Sequence, residues 1–200
     1  MTRNALRPGV ALVAALGLAG WAGNCPGRTP APAAAACAPV EGTLPAGTRA
    51  DGLAGEFRLT LTAQSGRTAT GTLRLQPFGT RPVPVAASAG VRYPLFGGTD
   101  VNLASVGAVT PGAADRADAA RPGVLVMEYP RANAPAGSSE IMLRLGADTN
   151  QGGPPRFDGA FTSLTVTSIS ANRFAGRWES AGGDQRSSGY FCADRVGPAR

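Results

Sequence analysis

The chain has 200 residues and a formal net charge of +6, and it contains no histidine; all 19 basic residues are arginine. Without His there is no Ser-His-Asp or Cys-His nucleophile system and no histidine-based zinc chemistry, and without Lys there is no Schiff base and no P-loop lysine. Hydrolysis by two facing carboxylates is the common catalytic scheme that this alphabet still allows.

Residues 1–24 have the three parts of a signal peptide: a basic stretch with Arg3 and Arg7, an apolar run over 10–22, and small residues after it. The run, roughly 13 residues, is too short to span a bilayer core. Without Arg3 and Arg7 the charge falls to near +4, 17 Arg against 13 acids. Cys25 follows the apolar run where bacterial lipoproteins carry their diacylated cysteine, so it is a candidate for lipidation; Ala22, Gly23 and Asn24 before it match a lipobox in part. The alternative is cleavage near Ala22 or within the alanine tract at 33–36. The protein is expected outside the cytoplasm, as a periplasmic, outer-membrane lipoprotein or extracellular species that meets a membrane only through such an anchor.

Residues 25–48 form a Pro/Ala-rich tether without a periodic apolar face, biased towards extended conformations. Three cysteines leave one unpaired. If Cys25 is lipidated or removed, Cys37 and Cys192 remain at the two ends of the domain, and an oxidising compartment would let them form a disulfide.

A single β domain is expected over 49–197. Phe57, Leu59 and Leu61 alternate with Arg58, Thr60 and Thr62, the period of a half-buried strand. Ser65, Gly66 and Arg67 give a turn, and Leu73 and Leu75 then alternate with Arg74 and Gln76, completing a hairpin. Residues 78–107, broken by Pro82, Pro84 and Pro94, suit short edge or bulged strands, and 110–121 an exposed loop. The stretch 124–129 is apolar on both faces until Glu128, which predicts deeper burial. Alternation resumes at Ile141, Leu143 and Leu145, in the Thr/Val/Ile-rich 161–169, and at Phe174, Gly176 and Trp178; AGGD at 181–184 marks a turn before a last strand carrying Cys192. Eight to ten short strands with one apolar face must close or stack. With Arg58, Arg74 and Arg144 on the opposite face, an all-β, antiparallel up-and-down barrel is expected first and a β-sandwich second.

FAGRW at 174–178 places a Gly two residues before a Trp on a strand, and LAGEF at 53–57 repeats the form. This resembles the G-x-W strand signature of lipocalin-like (calycin) β-barrels, in which the Trp closes one end of the barrel and stands on the first strand. The chain as a whole is similar to short exported bacterial proteins of unassigned function.

Candidate sites are few. Asp148, Asn150 and Asp158 offer oxygen ligands in a Gly-rich loop, but Gly152 and Gly159 stand where a calcium loop needs ligands, so no metal is expected. Glu128 and Glu179 lie within strands as a candidate acid pair, and Tyr93, Tyr129 and Tyr190 could line a cavity. The arginines from Arg28 to Arg200 form no run, which excludes a nucleic-acid groove as a partner site. No catalytic residue and no cofactor are assigned. The expected function is a non-enzymatic cell-envelope binding module that holds a small apolar or amphipathic ligand in the barrel interior or at its open end. A protein-interaction or structural envelope domain with a filled core is the alternative, and a carboxylate hydrolase stands last.

Overall fold

The computed structural model describes residues 36–79, 90–109, 123–131, 134–146 and 160–197. Cys25, the 110–121 loop and the Asp148, Asn150 and Asp158 group lie outside them. Among the described residues eight antiparallel strands follow one another around a closed barrel: β1 Gly55–Ala63, β2 Thr68–Pro77, β3 Arg92–Thr99, β4 Gly123–Pro130, β5 Ser139–Leu145, β6 Phe161–Ile169, β7 Arg173–Gly182 and β8 Gln185–Arg195. The expected up-and-down barrel is the observed fold. The hairpin turns fall where glycine and polar residues interrupt the alternation: Gly66 donates its N–H to the Ala63 carbonyl at 2.9 Å in the first, and Gly183 takes φ 56° in the last.

The alternation sets the register. Phe57 pairs with Leu73, Leu59 with Gly71 and Leu61 with Ala69, so one apolar row faces one apolar row. β8 closes the ring on β1 through Leu59 opposite Ala193 and Leu61 opposite Phe191. The inward residues form one cluster that includes Phe57, Leu59, Leu61, Leu73, Leu95, Val124, Val126, Ile141, Leu143, Leu145, Leu164, Phe174, Trp178 and Phe191, all buried. Each such Leu or Phe contributes about 1.5–3 kcal/mol by leaving water. Arg58 and Arg74 stand exposed on the outer face, so the polarity is the reverse of a porin-type barrel, which is apolar outside.

Large and small residues interlock across β7 and β8. Gly176 pairs with Phe191 and Trp178 with Gly189. A Cβ on Gly189 would lie 2.8 Å from the indole Nε1 and would also overlap the Thr62 carbonyl, the same carbonyl to which Nε1 donates at 3.1 Å. Trp178 is therefore a core aromatic covering a glycine of the next strand.

The stretch predicted to be buried on both faces is so: the outward Leu125 and Met127 of β4 pack with Phe78 and Phe96 in a second cluster outside the barrel wall. Tyr93 and Tyr129 border this cluster, and Tyr190 faces outward opposite Thr62 and Arg177. None of the three tyrosines lines the interior.

Residues 36–48 lie against the barrel. Cys37 is bonded to Cys192 of β8, with Cα atoms 5.6 Å apart. Glu41 meets Arg177 of β7 at 3.5 Å, Thr167 of β6 donates to the Val40 carbonyl at 2.7 Å, and Ser139 of β5 donates to the Thr48 carbonyl at 3.2 Å. Part of the expected tether is thus a strap crossing the outside of four strands, held at its start by the disulfide.

Candidate functional site

Both ends of the barrel are capped by short helical turns. At the first end the strap turns inward as a 3-10 turn, Ala50–Leu53, whose Ala50 and Leu53 are buried. Glu128 of β4 points inward and is 3 % exposed. Its Oε1 accepts the Ala50 N–H at 2.6 Å and its Oε2 the Arg92 Nη1 at 2.5 Å. Arg92 also reaches Asp51 at 3.4 Å. Buried charge is stable only when paired and hydrogen-bonded, and here the carboxylate serves as the catch for the cap. Glu179 stands exposed on the outer side of β7, and it lines a cleft at the opposite end. The structure does not bring Glu128 and Glu179 together as an acid pair.

The first end also holds Arg195, the last residue of β8. Its guanidinium lies 4.6 Å from the Phe57 ring centroid and donates to the carbonyls of Ala54 at 2.9 Å and Gly52 at 3.1 Å. Gly55, with φ 140°, leaves room for it, because a Cβ there would overlap Nη1. Phe57 and Arg195 thus stack at this end, and of FAGRW it is Phe174, Gly176 and Trp178 that lie in the core, Arg177 being exposed. A 340 Å³ cleft beside this cap is lined by Leu53, Phe57, Ile169 and Phe174 together with Asp51, Arg173 and Arg195. Its arginines are engaged: Arg173 bonds Asp194 twice, at 2.5 and 3.0 Å.

At the second end the chain after β3 enters as another 3-10 turn, Leu103–Val106, with Leu103 and Val106 buried. The following residues are tied to the rim. The Thr162 hydroxyl donates to the Val109 carbonyl at 2.6 Å, the Val109 N–H donates to Ser180 Oγ at 2.9 Å, and the Thr162 and Ser180 hydroxyls are 2.8 Å apart. Since the Thr162 proton goes to Val109, Ser180 is the donor between the two hydroxyls. Ser187 donates to the Gly107 carbonyl at 2.7 Å.

Beside this cap opens a cleft of about 660 Å³, within the range of small-ligand pockets. Phe161 and Ala181 give it apolar wall over the buried Ala63 and Val106, Ser65 and Ser188 give hydroxyls, and Arg67, Arg186 and Glu179 give charge. Its position follows from topology. In an up-and-down barrel the turns after β1, β3, β5 and β7 share one end, and closure of β8 on β1 sets the first and last of them side by side; the Gln64 N–H donates to the Ser188 carbonyl at 3.0 Å across that seam. Arg67 leaves the first turn and Arg186 follows the last. A Cβ on Gly107 would lie 2.6 Å from Arg67 Nη2, so this guanidinium rests against the end of the second cap. Sequence reasoning reads Arg67 as a turn residue and passes over Arg186; the signal that unites them is an arginine just after the turn of both the first and the last hairpin of a closed ring.

Among the described residues no group of three or more His, Cys, Asp or Glu side chains converges to hold a metal.

These features define a class: a closed eight-stranded antiparallel barrel with a packed interior, a cap at each end and an open cleft beside the second cap. No family model matches the chain, and no curated protein matches it. Among solved structures it is similar to designed barrels. One is EF1p2_mFAP2b bound to DFHBI, at 12 % identity and a TM-score of 0.38 over 74 % of this chain and 96 % of that one. Another is a fluorescence-activating β-barrel designed de novo, at 13 % identity and a TM-score of 0.37 over 72 % of this chain and 93 % of that one.

Proposed function

We propose that the protein is a non-enzymatic binding module of the cell envelope, exported by its N-terminal segment, that holds a small amphipathic ligand in the cleft beside the second cap. The observation that carries this reading is the contrast between a barrel interior filled by its own side chains and a 660 Å³ cleft at its rim with both apolar wall and charge. A ligand of modest size can rest its apolar part on Phe161 and Ala181 and keep its polar part among the serines and arginines. The interior does not serve as the binding chamber, because its space is taken by Leu, Ile, Phe and Trp side chains. A filled core also suits a structural envelope domain, the second reading; the cleft favours the first.

Native mass spectrometry of the protein isolated from its own envelope tests the proposal. A 1:1 small-molecule adduct is expected, lost when Ser188→Trp fills the cleft. Bare protein mass alone, or an adduct that survives the substitution, would overturn it.

A further inference from the structure

Several arginines of the barrel are neutralised by a carboxylate: Arg74 by Glu56 at 2.9 Å, Arg92 by Glu128 at 2.5 Å, Arg173 by Asp194 at 2.5 Å and Arg177 by Glu41 at 3.5 Å. The two arginines of the second cleft are not, and unlike Arg58 and Arg131, which also lack a carboxylate among the described residues, they share one cleft. Among the described residues neither Arg67 nor Arg186 meets a carboxylate, although both line one cleft, and Arg67 is steadied against the capping turn at Gly107. An arginine fork binds carboxylate and phosphate oxygens with short, charge-assisted hydrogen bonds, and two forks converging on one cleft recruit an anion more strongly than either alone.

We infer that the ligand of this cleft is an acid: an amphipathic molecule whose carboxylate or phosphate sits between Arg67 and Arg186, assisted by the hydroxyls of Ser65 and Ser188. This rests on the cleft being the binding site and adds the chemistry of the head group. Glu179 lines the same cleft. With two cations against one anion the cleft keeps a net positive charge, and Glu179 opposes the bound acid. The apolar wall takes a short hydrocarbon part.

Isothermal titration of the full chain with octanoate, octyl phosphate, octanol and octylammonium tests the assignment. The two acids are expected to bind at least tenfold more tightly than octanol or octylammonium, and the better of the two names the head group. Arg67→Gln and Arg186→Gln should each weaken the acids about tenfold, the loss of one charge-assisted hydrogen bond, and leave octanol unchanged. Glu179→Gln should tighten them. All three positions are exposed, and circular dichroism confirms that the variants stay folded. Octanol binding as tightly as octanoate, or acid binding untouched in both arginine variants, would overturn the head-group assignment and leave cleft binding standing. No binding of any of the four would overturn both.

Discussion

Trp178 and Gly189 face each other in register across β7 and β8, and the indole occupies the space that any side chain at 189 would need. The obstacle on the other side is the Thr62 carbonyl of β1, so neither neighbour can yield without opening the β1–β8 seam that closes the barrel. Gly189→Ala should cost about 1–3 kcal/mol, the usual range for overpacking a core. Chemical denaturation followed by Trp fluorescence measures it; an unchanged midpoint would mean that the seam is loose.

Glu128 holds the first cap, and its removal should free the cap before it unfolds the barrel. Glu128→Ala takes away the acceptor of the Ala50 N–H and the nearer carboxylate of Arg92, which keeps Asp51 at 3.4 Å. Arg92 is 42 % exposed and can turn to water, so the expected loss is about 1–3 kcal/mol, below that of a fully buried pair. Trypsin should then cut after Arg49 in protein whose β-sheet circular dichroism is unchanged. Equal cleavage of the wild type would show that the cap is already free.

The disulfide closes a sequence separation of 155 residues. The chain-entropy model assigns at most about 5 kcal/mol to a loop of that length. Cys37→Ser should lower stability by several kcal/mol within that limit and expose the strap, 38–49, to proteolysis ahead of the strands. Equal mobility on reducing and non-reducing gels, with Cys37 and Cys192 titrating as free thiols, would contradict the bond.

Tyr129 should ionise late. Burial beside the outer cluster lifts its phenol above the usual tyrosine value, Tyr93 and Glu140 add to the shift, and Arg144 opposes it. The folded state therefore holds its proton more tightly than the unfolded chain. This contribution to stability is complete below the unfolded value of about 10 and is lost as pH rises from there through the folded value. Absorbance titration at alkaline pH should resolve a late phenol that Tyr129→Phe removes; a titration unchanged by that substitution would contradict the assignment.

Much of the barrel is legible in the sequence because a half-buried strand writes its burial every second residue: Phe57, Leu59 and Leu61, then Ile141, Leu143 and Leu145, already name the inner face. The pairing of Cys37 with Cys192 also follows from residue types and positions. The caps do not. Ala50–Leu53 and Leu103–Val106 are each a single turn, too short for any periodicity, and what fixes them is distant: Glu128 for one, Ser180 and Ser187 for the other. The strap is concealed for the same reason, since a Pro/Ala composition describes local stiffness and says nothing of Thr167 or Ser139. The G-x-W match at 174–178 is accounted for by core packing, because Gly176 pairs with Phe191 and Trp178 with Gly189, while Phe57 stacks under Arg195 at the first end. The cleft arginines, Arg67 and Arg186, stand on the first and last hairpins and become neighbours only through ring closure.

The most direct test of a packed barrel that binds at one rim is mapping of backbone amide shifts by NMR during titration with octanoate. Shifts are expected to gather at Gln64, Ser65, Arg67, Val106, Arg186 and Ser188, with Leu59, Ile141, Leu143 and Phe191 unmoved. Shifts spread through those interior residues, with the rim silent, would contradict it.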